Sequence, residues 1–274
     1  MAERFCFAVW SMPNLHNRIQ THPPSRTALH VHFEGNATLK EAIMIEIRRF
    51  SELGTFQNEW LNAHYHFSFS HYYDPARMGH GKLRVWNDDT IQPQTGFPPH
   101  GHRDMEIITY VRSGAITHED SMGNKGRTEA GDVQVMSAGN GVQHSEWNAE
   151  DENTQIFQLW IEPAQTGGSP DWGAKAFPKA DRSGEWATLA SGNGASDALP
   201  IRQDAAVLGA TLKAGESLNY EVKAGRFGYL VLAAGSVELN GDVLNARDGA
   251  AISGDTTLTI KGIEDAEIVF VDTI

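Results

Sequence analysis

From residue 44 onward, the sequence alternates short runs of Val, Ile, Tyr and Phe with clusters of Gly, Asn and Asp. Such clusters include SMGNKG at 121–126, EAGD at 129–132, LNGD at 239–242 and ARDG at 246–249. Apolar runs that recur about every 8–12 residues between turn signals are typical of β-barrels and β-sandwiches. The 27 glycines supply the positive-φ positions that tight hairpins need. A helical period occurs only in short pieces, for example at 51–63, so we predict an all-β fold.

A looser segment at 161–200 divides the strand-forming sequence into two units. It is rich in Gly and Pro and includes the run SGNGAS at 191–196. The runs AGDVQVMSAGNG and ARDGAAISGDTT, one in each unit, share the same order of turn, apolar strand and turn. We therefore predict a duplicated barrel, with an N-terminal domain at 44–165 and a linker plus C-terminal domain at 166–274.

The first 43 residues differ from the rest of the chain. They show no sustained period of two or 3.6 residues and contain three prolines. From Met44 the pattern changes, because Ile45 and Ile47 alternate with charged residues as on a half-buried strand. We interpret residues 1–43 as a poorly ordered N-terminal extension, and our hypothesis is that the usual start lies at Met44.

The charge balance excludes several classes of partner. The formal net charge is -13, so direct binding to nucleic acid or to an anionic membrane is not expected.

The single cysteine, Cys6, rules out an intramolecular disulfide and a zinc site built of several thiolates. No apolar run approaches the roughly 18 residues of a membrane span. We expect a cytoplasmic protein.

The histidines are distributed unevenly along the chain. All 12 lie between His16 and His144, and the 130 residues after His144 contain none. Three His-x-His pairs occur, at 30/32, 64/66 and 100/102, where random placement would give roughly 0.5. We attribute the first pair to chance and the second to a packed aromatic strand. Only the third has a strand context bounded by glycines, which places the chemistry in the front half.

His100 and His102 are two residues apart, so on a strand both side chains leave the same face. His144 and Glu146 repeat this spacing on a second predicted strand, and an antiparallel sheet can bring the two pairs face to face. Three imidazoles and one carboxylate suit Fe(II), Mn, Co, Ni, Cu(II) or Zn, and the residues do not choose among them. Glu106, four residues after His102, also faces this side. Either Glu106 or Glu146 is therefore a candidate for the fourth ligand.

The two blocks resemble the paired motifs of the cupin superfamily. The first motif contains a glycine, His-x-His, a glutamate and a closing glycine, here Gly96, His100, His102, Glu106 and Gly114. The second matches at Gly131, Gly139 or Gly141, His144 and Asn148. More specifically, HFSFSHYYDP, RDMEIITYV, HEDSMGN and AGDVQVMSAGNGVQHSE resemble the pirin family. The resemblance extends from about Met44 to the C-terminus and does not cover residues 1–43.

The resemblance implies a bicupin, two cupin barrels face to face, with a metal only in the N-terminal barrel. It implies one non-haem metal, with Fe(II) favoured, held by His100, His102, His144 and Glu146. Glu106 would then lie behind the ligands. The implied activity of bacterial members is that of a quercetin 2,3-dioxygenase, which opens the flavonol heterocycle with O2 and releases CO. Glu146 would be the catalytic base.

The expected partners are a flat flavonol-like substrate and O2, bound by a monomer. Side chains proposed to line the substrate pocket, or else to form barrel core, are Phe67, Phe69, Tyr72, Met136, Phe157 and Trp160. The alternative function is that of a metal-dependent regulatory pirin that acts through a protein partner without turnover.

Overall fold

A computed structural model describes residues 44–195 and 197–274. In chain order its first strands are β1 (Met44–Arg48), β2 (Gly54–Gln57), β3 (Leu61–Tyr65), β4 (Leu83–Ile91), β5 (Thr95–His102), β6 (Glu106–Ser113), β7 (Ala115–Asp120), β8 (Lys125–Glu129), β9 (Val133–Ser137), β10 (Val142–Asn148) and β11 (Thr154–Ile161). The chain continues through β12 (Asp171–Lys175), β13 (Ala187–Ser191), β14 (Leu199–Pro200), β15 (Ala205–Leu212), β16 (Ser217–Val222), β17 (Phe227–Ala234), β18 (Ser236–Leu239), β19 (Asp242–Asn245), β20 (Gly249–Ser253), β21 (Thr256–Gly262) and β22 (Ala266–Thr273). The predicted extension at 1–43 lies outside the described residues.

The strands form two barrels, each built of one seven-stranded and one four-stranded sheet. The N-terminal barrel has the orders β12-β9-β6-β11-β4-β3-β2 and β5-β10-β7-β8. The C-terminal barrel has the orders β1-β20-β17-β22-β15-β13-β14 and β16-β21-β18-β19. The predicted all-β bicupin is confirmed. Among the described residues we find no helix with the length and hydropathy of a membrane span.

The sheets exchange strands across the residue boundary expected from the sequence. β1, at the start of the predicted N-terminal domain, pairs with β20 of the C-terminal sheet. β12, in the predicted linker, pairs with β9 of the N-terminal sheet. Each barrel is therefore completed by a segment from the other side of the expected boundary, which joins the two barrels through backbone hydrogen bonds as well as packing.

Two local expectations were wrong. The short helical period at 51–63 gives only a 3-10 turn at Phe50–Glu52, because the residues that follow form the β2–β3 hairpin. The looser segment at 161–200 is not a bare connector, since it contains β12, β13, β14 and a 3-10 turn at Lys179–Arg182. Strand pairing overrides the local pattern in both places.

The two large sheets face each other through one buried cluster. The N-terminal barrel contributes Trp86, Tyr110 and Phe157, and the C-terminal barrel contributes Tyr229 and Val269, among others. The rings of Trp86 and Tyr229 lie 5.6 Å apart across this boundary. His66 also bridges it, with its Nδ1 2.9 Å from the hydroxyl of Tyr229, as a packed histidine and not as part of a metal cluster.

The interiors of the two barrels differ in polarity. The C-terminal interior is closed by apolar side chains, which include Leu230, Leu239, Leu258, Ile260 and Phe270. The N-terminal interior instead buries a set of polar side chains, namely Asn87, Asp89, Thr109, Gln134, His144, Glu146 and Gln158. Buried polar groups are unfavourable unless they are hydrogen bonded or bind a ligand. A ligand-binding site is therefore expected in the N-terminal barrel.

Candidate metal centre

Three histidines converge inside the mouth of the N-terminal barrel. His100 and His102 lie at the end of β5, and His144 lies opposite them on β10, where it pairs in register with His100. Their ligand atoms all lie within 4.8 Å of one another. The ring centroids of His100 and His144 are 4.5 Å apart, and those of His102 and His144 are 4.9 Å apart. This arrangement can hold one metal ion.

The close approach of β5 to β10 depends on a glycine. Gly96 pairs with Trp147, and a Cβ atom at position 96 would lie 2.2 Å from the backbone oxygen of Glu146. Only a residue without a side chain permits that approach. This is the physical role of the first glycine of the motif, because the same strand pair carries all three histidines.

We expect Gly96→Ala to separate β5 from β10 locally. The overlap should lower the free energy of unfolding by about 1–3 kcal/mol, the usual cost of forcing extra atoms into a packed structure. It should also weaken metal binding, since the histidines would move apart. Chemical denaturation and Ni(II) titration measure the two effects. Gly173→Ala is the control, because its backbone is not in the left-handed region and the nearest atom to a Cβ there is a methyl carbon of Leu199 at 3.5 Å. A Gly96→Ala protein as stable as the wild type would contradict the account.

Burial favours the neutral form of two of the three histidines, His102 and His144. Burial, together with the nearby His100, lowers the pKa of His102 to about 3. Burial and the neighbouring imidazoles hold the pKa of His144 well below its usual value. The Nδ1–H of His100 donates to the carbonyl oxygen of Pro98 at 2.8 Å, which orients its ring. Neutral imidazole is the form that binds metals.

The Nε2 atom of His144 gives a direct test of whether a metal fits. It is buried and has no hydrogen-bond partner among the described residues. A buried nitrogen without a partner is unfavourable and calls for an explanation. A metal ion held by His100, His102 and His144 would satisfy it, so the residues present fit a transition metal.

Glu146 lies on the inward face of β10 but outside the three-histidine group. One carboxylate oxygen accepts hydrogen bonds from Thr109 (3.0 Å) and Gln134 (2.7 Å), and the other accepts one from Gln158 at 2.5 Å. The side chain is 1% exposed. The structure thus brings together three of the four predicted ligands and holds the fourth in a buried hydrogen-bond cage, so its coordination of the metal stays a prediction.

Glu106, the alternative fourth ligand, has partners elsewhere. One of its oxygens accepts hydrogen bonds from the hydroxyl of Ser137 (2.6 Å) and the backbone N–H of Arg202 (3.1 Å). Burial raises the pKa of this carboxyl group. Because Arg202 lies beyond β14, these contacts tie β6 to the C-terminal part of the chain. No hydrogen bond joins Glu106 to the described histidines of the cluster.

Trp160 is the predicted pocket residue that touches the histidine cluster. Its indole packs edge-on against the ring of His102, with centroids 5.0 Å apart. Phe69 packs edge-on against Trp160 at 5.3 Å. These two rings are partly exposed and form an aromatic wall beside the cluster.

The other predicted pocket residues are placed differently. Phe67 and Phe157 are fully buried in the cluster between the barrels, so for them the core interpretation applies. Met136 packs in a small cluster with Ile107 and Val142. Tyr72 stacks on Tyr65, with centroids 6.5 Å apart.

Sequence reasoning missed three buried polar residues around the cluster. Gln134 and Gln158 hold Glu146, and the signal for both was a glutamine inside an otherwise apolar strand, VQVMS and TQIFQLWI. His118 contacts His144, and its signal was the two-residue spacing from Asp120 on the same strand. These signals are weak without knowledge of which strands are neighbours.

Comparisons with known proteins agree with this geometry. The profile of the family described as Pirin matches residues 46–161, and that of the Quercetinase C-terminal cupin domain matches residues 188–273. The chain is 63% identical over 230 residues to the pirin-like protein of Caulobacter vibrioides, covering 84% of this chain and 99% of that protein. It is 36% identical over 230 residues to the quercetin 2,3-dioxygenase of Escherichia coli K12, covering 84% and 98%.

A solved structure is similar over the same part of the chain. The bacterial pirin YhhW from Escherichia coli, in complex with nickel(II), aligns with a TM-score of 0.79 and 35% identity. The alignment covers 84% of this chain and 99% of that chain. The similarity therefore includes both barrels.

Proposed function

This chain belongs to the pirin family, and from that premise we propose that it is a metal-dependent oxidoreductase of the quercetin 2,3-dioxygenase type. In the proposed reaction O2 attacks a flavonol, the heterocycle opens and CO leaves. The observation that carries the proposal is the cluster of His100, His102 and His144, whose imidazoles converge in the barrel that also buries the carboxylate of Glu146. This constellation suits a metal-assisted reaction of a phenolic substrate.

We propose that the three histidines and Glu146 hold one divalent transition metal. Fe(II) is the first assignment, and Ni, Cu, Co, Mn and Zn are alternatives with similar ligand preferences. The nickel(II) complex of the Escherichia coli relative supports nickel as a test metal. When bound, the metal would supply Lewis acidity at the flavonol 3-hydroxyl group and redox chemistry toward O2.

Glu146 is the proposed base that accepts the proton of the 3-hydroxyl group. Its cage holds the carboxylate in one orientation, which is what a positioned base needs. Gln158 is held in turn, because its amide oxygen accepts the indole N–H of Trp160 at 3.1 Å. Trp160 therefore contacts both a histidine of the cluster and the cage, and it offers an aromatic surface to a flat substrate.

The deciding experiment is an aerobic and anaerobic quercetin assay. The protein is stripped with a chelator, reloaded separately with Fe(II), Ni(II), Cu(II) or Co(II), and the visible absorbance of quercetin is followed. We expect loss of absorbance, with release of CO, only when both metal and O2 are present. No oxygen-dependent loss with any metal would contradict the proposal and favour the regulatory alternative.

Glu146→Gln should separate metal binding from turnover. At saturating metal we expect one ion per chain, while turnover falls by about 10²–10⁴-fold because the amide cannot accept the proton. Metal analysis and quercetin turnover measure the two effects. Glu106→Gln is the matched control, since one amide oxygen can still accept both hydrogen bonds that Glu106 receives. The assignment of the base would pass to Glu106 if the control lost activity and Glu146→Gln did not.

A further inference from the structure

His118 is a buried histidine that lies behind the cluster. It is on β7, 0% exposed, and its Nδ1 is 3.4 Å from the Nδ1 of His144. Its other ring nitrogen, Nε2, is 3.1 Å from a carboxylate oxygen of Asp120. The three side chains Asp120, His118 and His144 thus form a continuous hydrogen-bonded chain that ends at the cluster.

Asp120 is itself held in place as an acceptor. One oxygen accepts the backbone N–H groups of Met122 and Asn124, and the other accepts the side-chain amide of Asn124 at 2.9 Å. An ionised carboxylate can only accept hydrogen bonds. The contact with His118 is therefore a donation from the Nε2–H of His118.

That donation sets the direction of the next hydrogen bond, between His118 and His144. With its Nε2–H donated to Asp120, the ring of His118 offers Nδ1 as the acceptor toward His144. The contact between His118 and His144 then requires His144 to donate its Nδ1–H. The lone pair of His144 is left on Nε2, which is the buried atom without a partner.

The ring of His118 is held in its plane by a neighbouring strand. It stacks on the indole of Trp172, with centroids 4.8 Å apart and planes 8° from parallel. Trp172 belongs to β12, and the edge of its indole lies over Gly126, the cross-strand partner of His118, where a Cβ atom would be 2.3 Å from the indole. The missing side chain at Gly126 thus leaves room for the indole to stack on His118, which restricts rotation of the imidazole.

We propose that Asp120 and His118 are positioning residues that fix His144 as the Nδ1–H tautomer, with its Nε2 lone pair directed at the metal. The inference rests on the proposed metal site. Packing alone does not account for it, because a histidine that only fills space does not need a carboxylate tied down by three other donors. Outer partners of metal-bound histidines set tautomer and ring orientation in this way.

The test combines a measurement on metal-free protein with a metal titration. Nitrogen NMR of the metal-free protein reports the tautomer of His144, and competition titration gives its affinity for Ni(II). We expect the Nδ1–H tautomer in the wild type. His118→Phe keeps an aromatic ring against Trp172 but removes the acceptor, so we expect mixed tautomers at His144 and an affinity about 10–100-fold weaker.

Two further variants distinguish positioning from packing. His118→Asn places an amide oxygen near the former Nδ1 and should restore much of the affinity. In Asp120→Asn the amide can donate to the Nε2 of His118, which should reverse both tautomers and place the proton of His144 on Nε2. Packing would produce neither the rescue nor the reversal. Circular dichroism shows whether His118→Phe folds. If it does not fold, His118→Asn and Asp120→Asn still test the proposal.

Trp172→Phe is the control for packing, since it keeps a ring beside His118 and touches none of the hydrogen bonds. The inference is overturned if His118→Phe retains both the Nδ1–H tautomer and wild-type Ni(II) affinity. It is also overturned if Asp120→Asn leaves the tautomer of His144 unchanged. Failure of the wild type to bind Ni(II) would instead refute the proposed metal site, and the metal-free NMR measurement would still decide the tautomer.

Discussion

Replacing His144 with alanine should abolish stoichiometric metal binding. His144 faces both other histidines, with ring centroids 4.5 Å from His100 and 4.9 Å from His102. Without it, only two histidines remain, both at the end of β5, and the buried Nε2 that a metal would satisfy is gone. We expect the metal content to fall from close to one ion per chain to close to zero. The loss should exceed the roughly 10–100-fold typical of an outer partner.

Elemental analysis and Ni(II) titration measure this effect, with thermal unfolding of the metal-free protein to confirm that it folds. The matched control is His64→Gln, which alters a histidine of another His-x-His pair. His64 packs against Phe50 and contacts Arg247, outside the cluster. A His144→Ala protein that retained one tightly bound ion would refute the ligand assignment.

Asp88→Ala should cause the largest loss of stability among the substitutions considered. Asp88 is fully buried on β4 and accepts hydrogen bonds from two arginines, Arg112 of the same sheet (2.5 Å) and Arg247 of the C-terminal barrel (2.6 Å). Both guanidinium groups lie over aromatic rings, those of Phe157 and Phe50. Removing the carboxylate leaves Arg112 buried without its counter-charge. We expect the free energy of unfolding to fall by about 3–5 kcal/mol.

Urea denaturation followed by tryptophan fluorescence and circular dichroism measures this loss. The control is Asp265→Ala, which removes the carboxylate of an exposed ion pair with Lys213. Exposed pairs contribute little, so we expect no measurable change there. Equal stability of the two variants would show that the Asp88 network does not hold the barrels together. Because Arg247 comes from the second barrel, a separate transition for each barrel in Asp88→Ala would support that role further.

Much of the site was predictable from local sequence. The spacing of His100 and His102, repeated by His144 and Glu146, needs only the period of a strand to place each pair on one face. The glycine-bounded turns around both blocks marked the hairpins that bring β5 and β10 together. The absence of histidine after residue 144 agrees with the apolar interior of the C-terminal barrel.

The surroundings of the cluster were not predictable in the same way. Gln134, on β9, and Gln158, on β11, reach Glu146 on β10, although none of these strands is a hydrogen-bonded neighbour of another. His118 meets His144 only because β7 pairs with β10. Such contacts depend on the curvature of the barrel, which joins residues far apart in sequence. The periodicity of a single strand does not predict that curvature.

The sequence by itself determined the class of the fold and the identity of the three converging histidines, because strand period, turn residues and two-residue spacing are local properties. Only the tertiary structure shows the partners of the two candidate carboxylates. Glu106 accepts a hydrogen bond from Ser137, and Glu146 accepts one from Gln158, although both were expected on the same face of their strands. The tertiary structure also decided that β1 and β12 cross between the barrels. Burial and long-range pairing are properties of the assembled barrels, and no single strand encodes them.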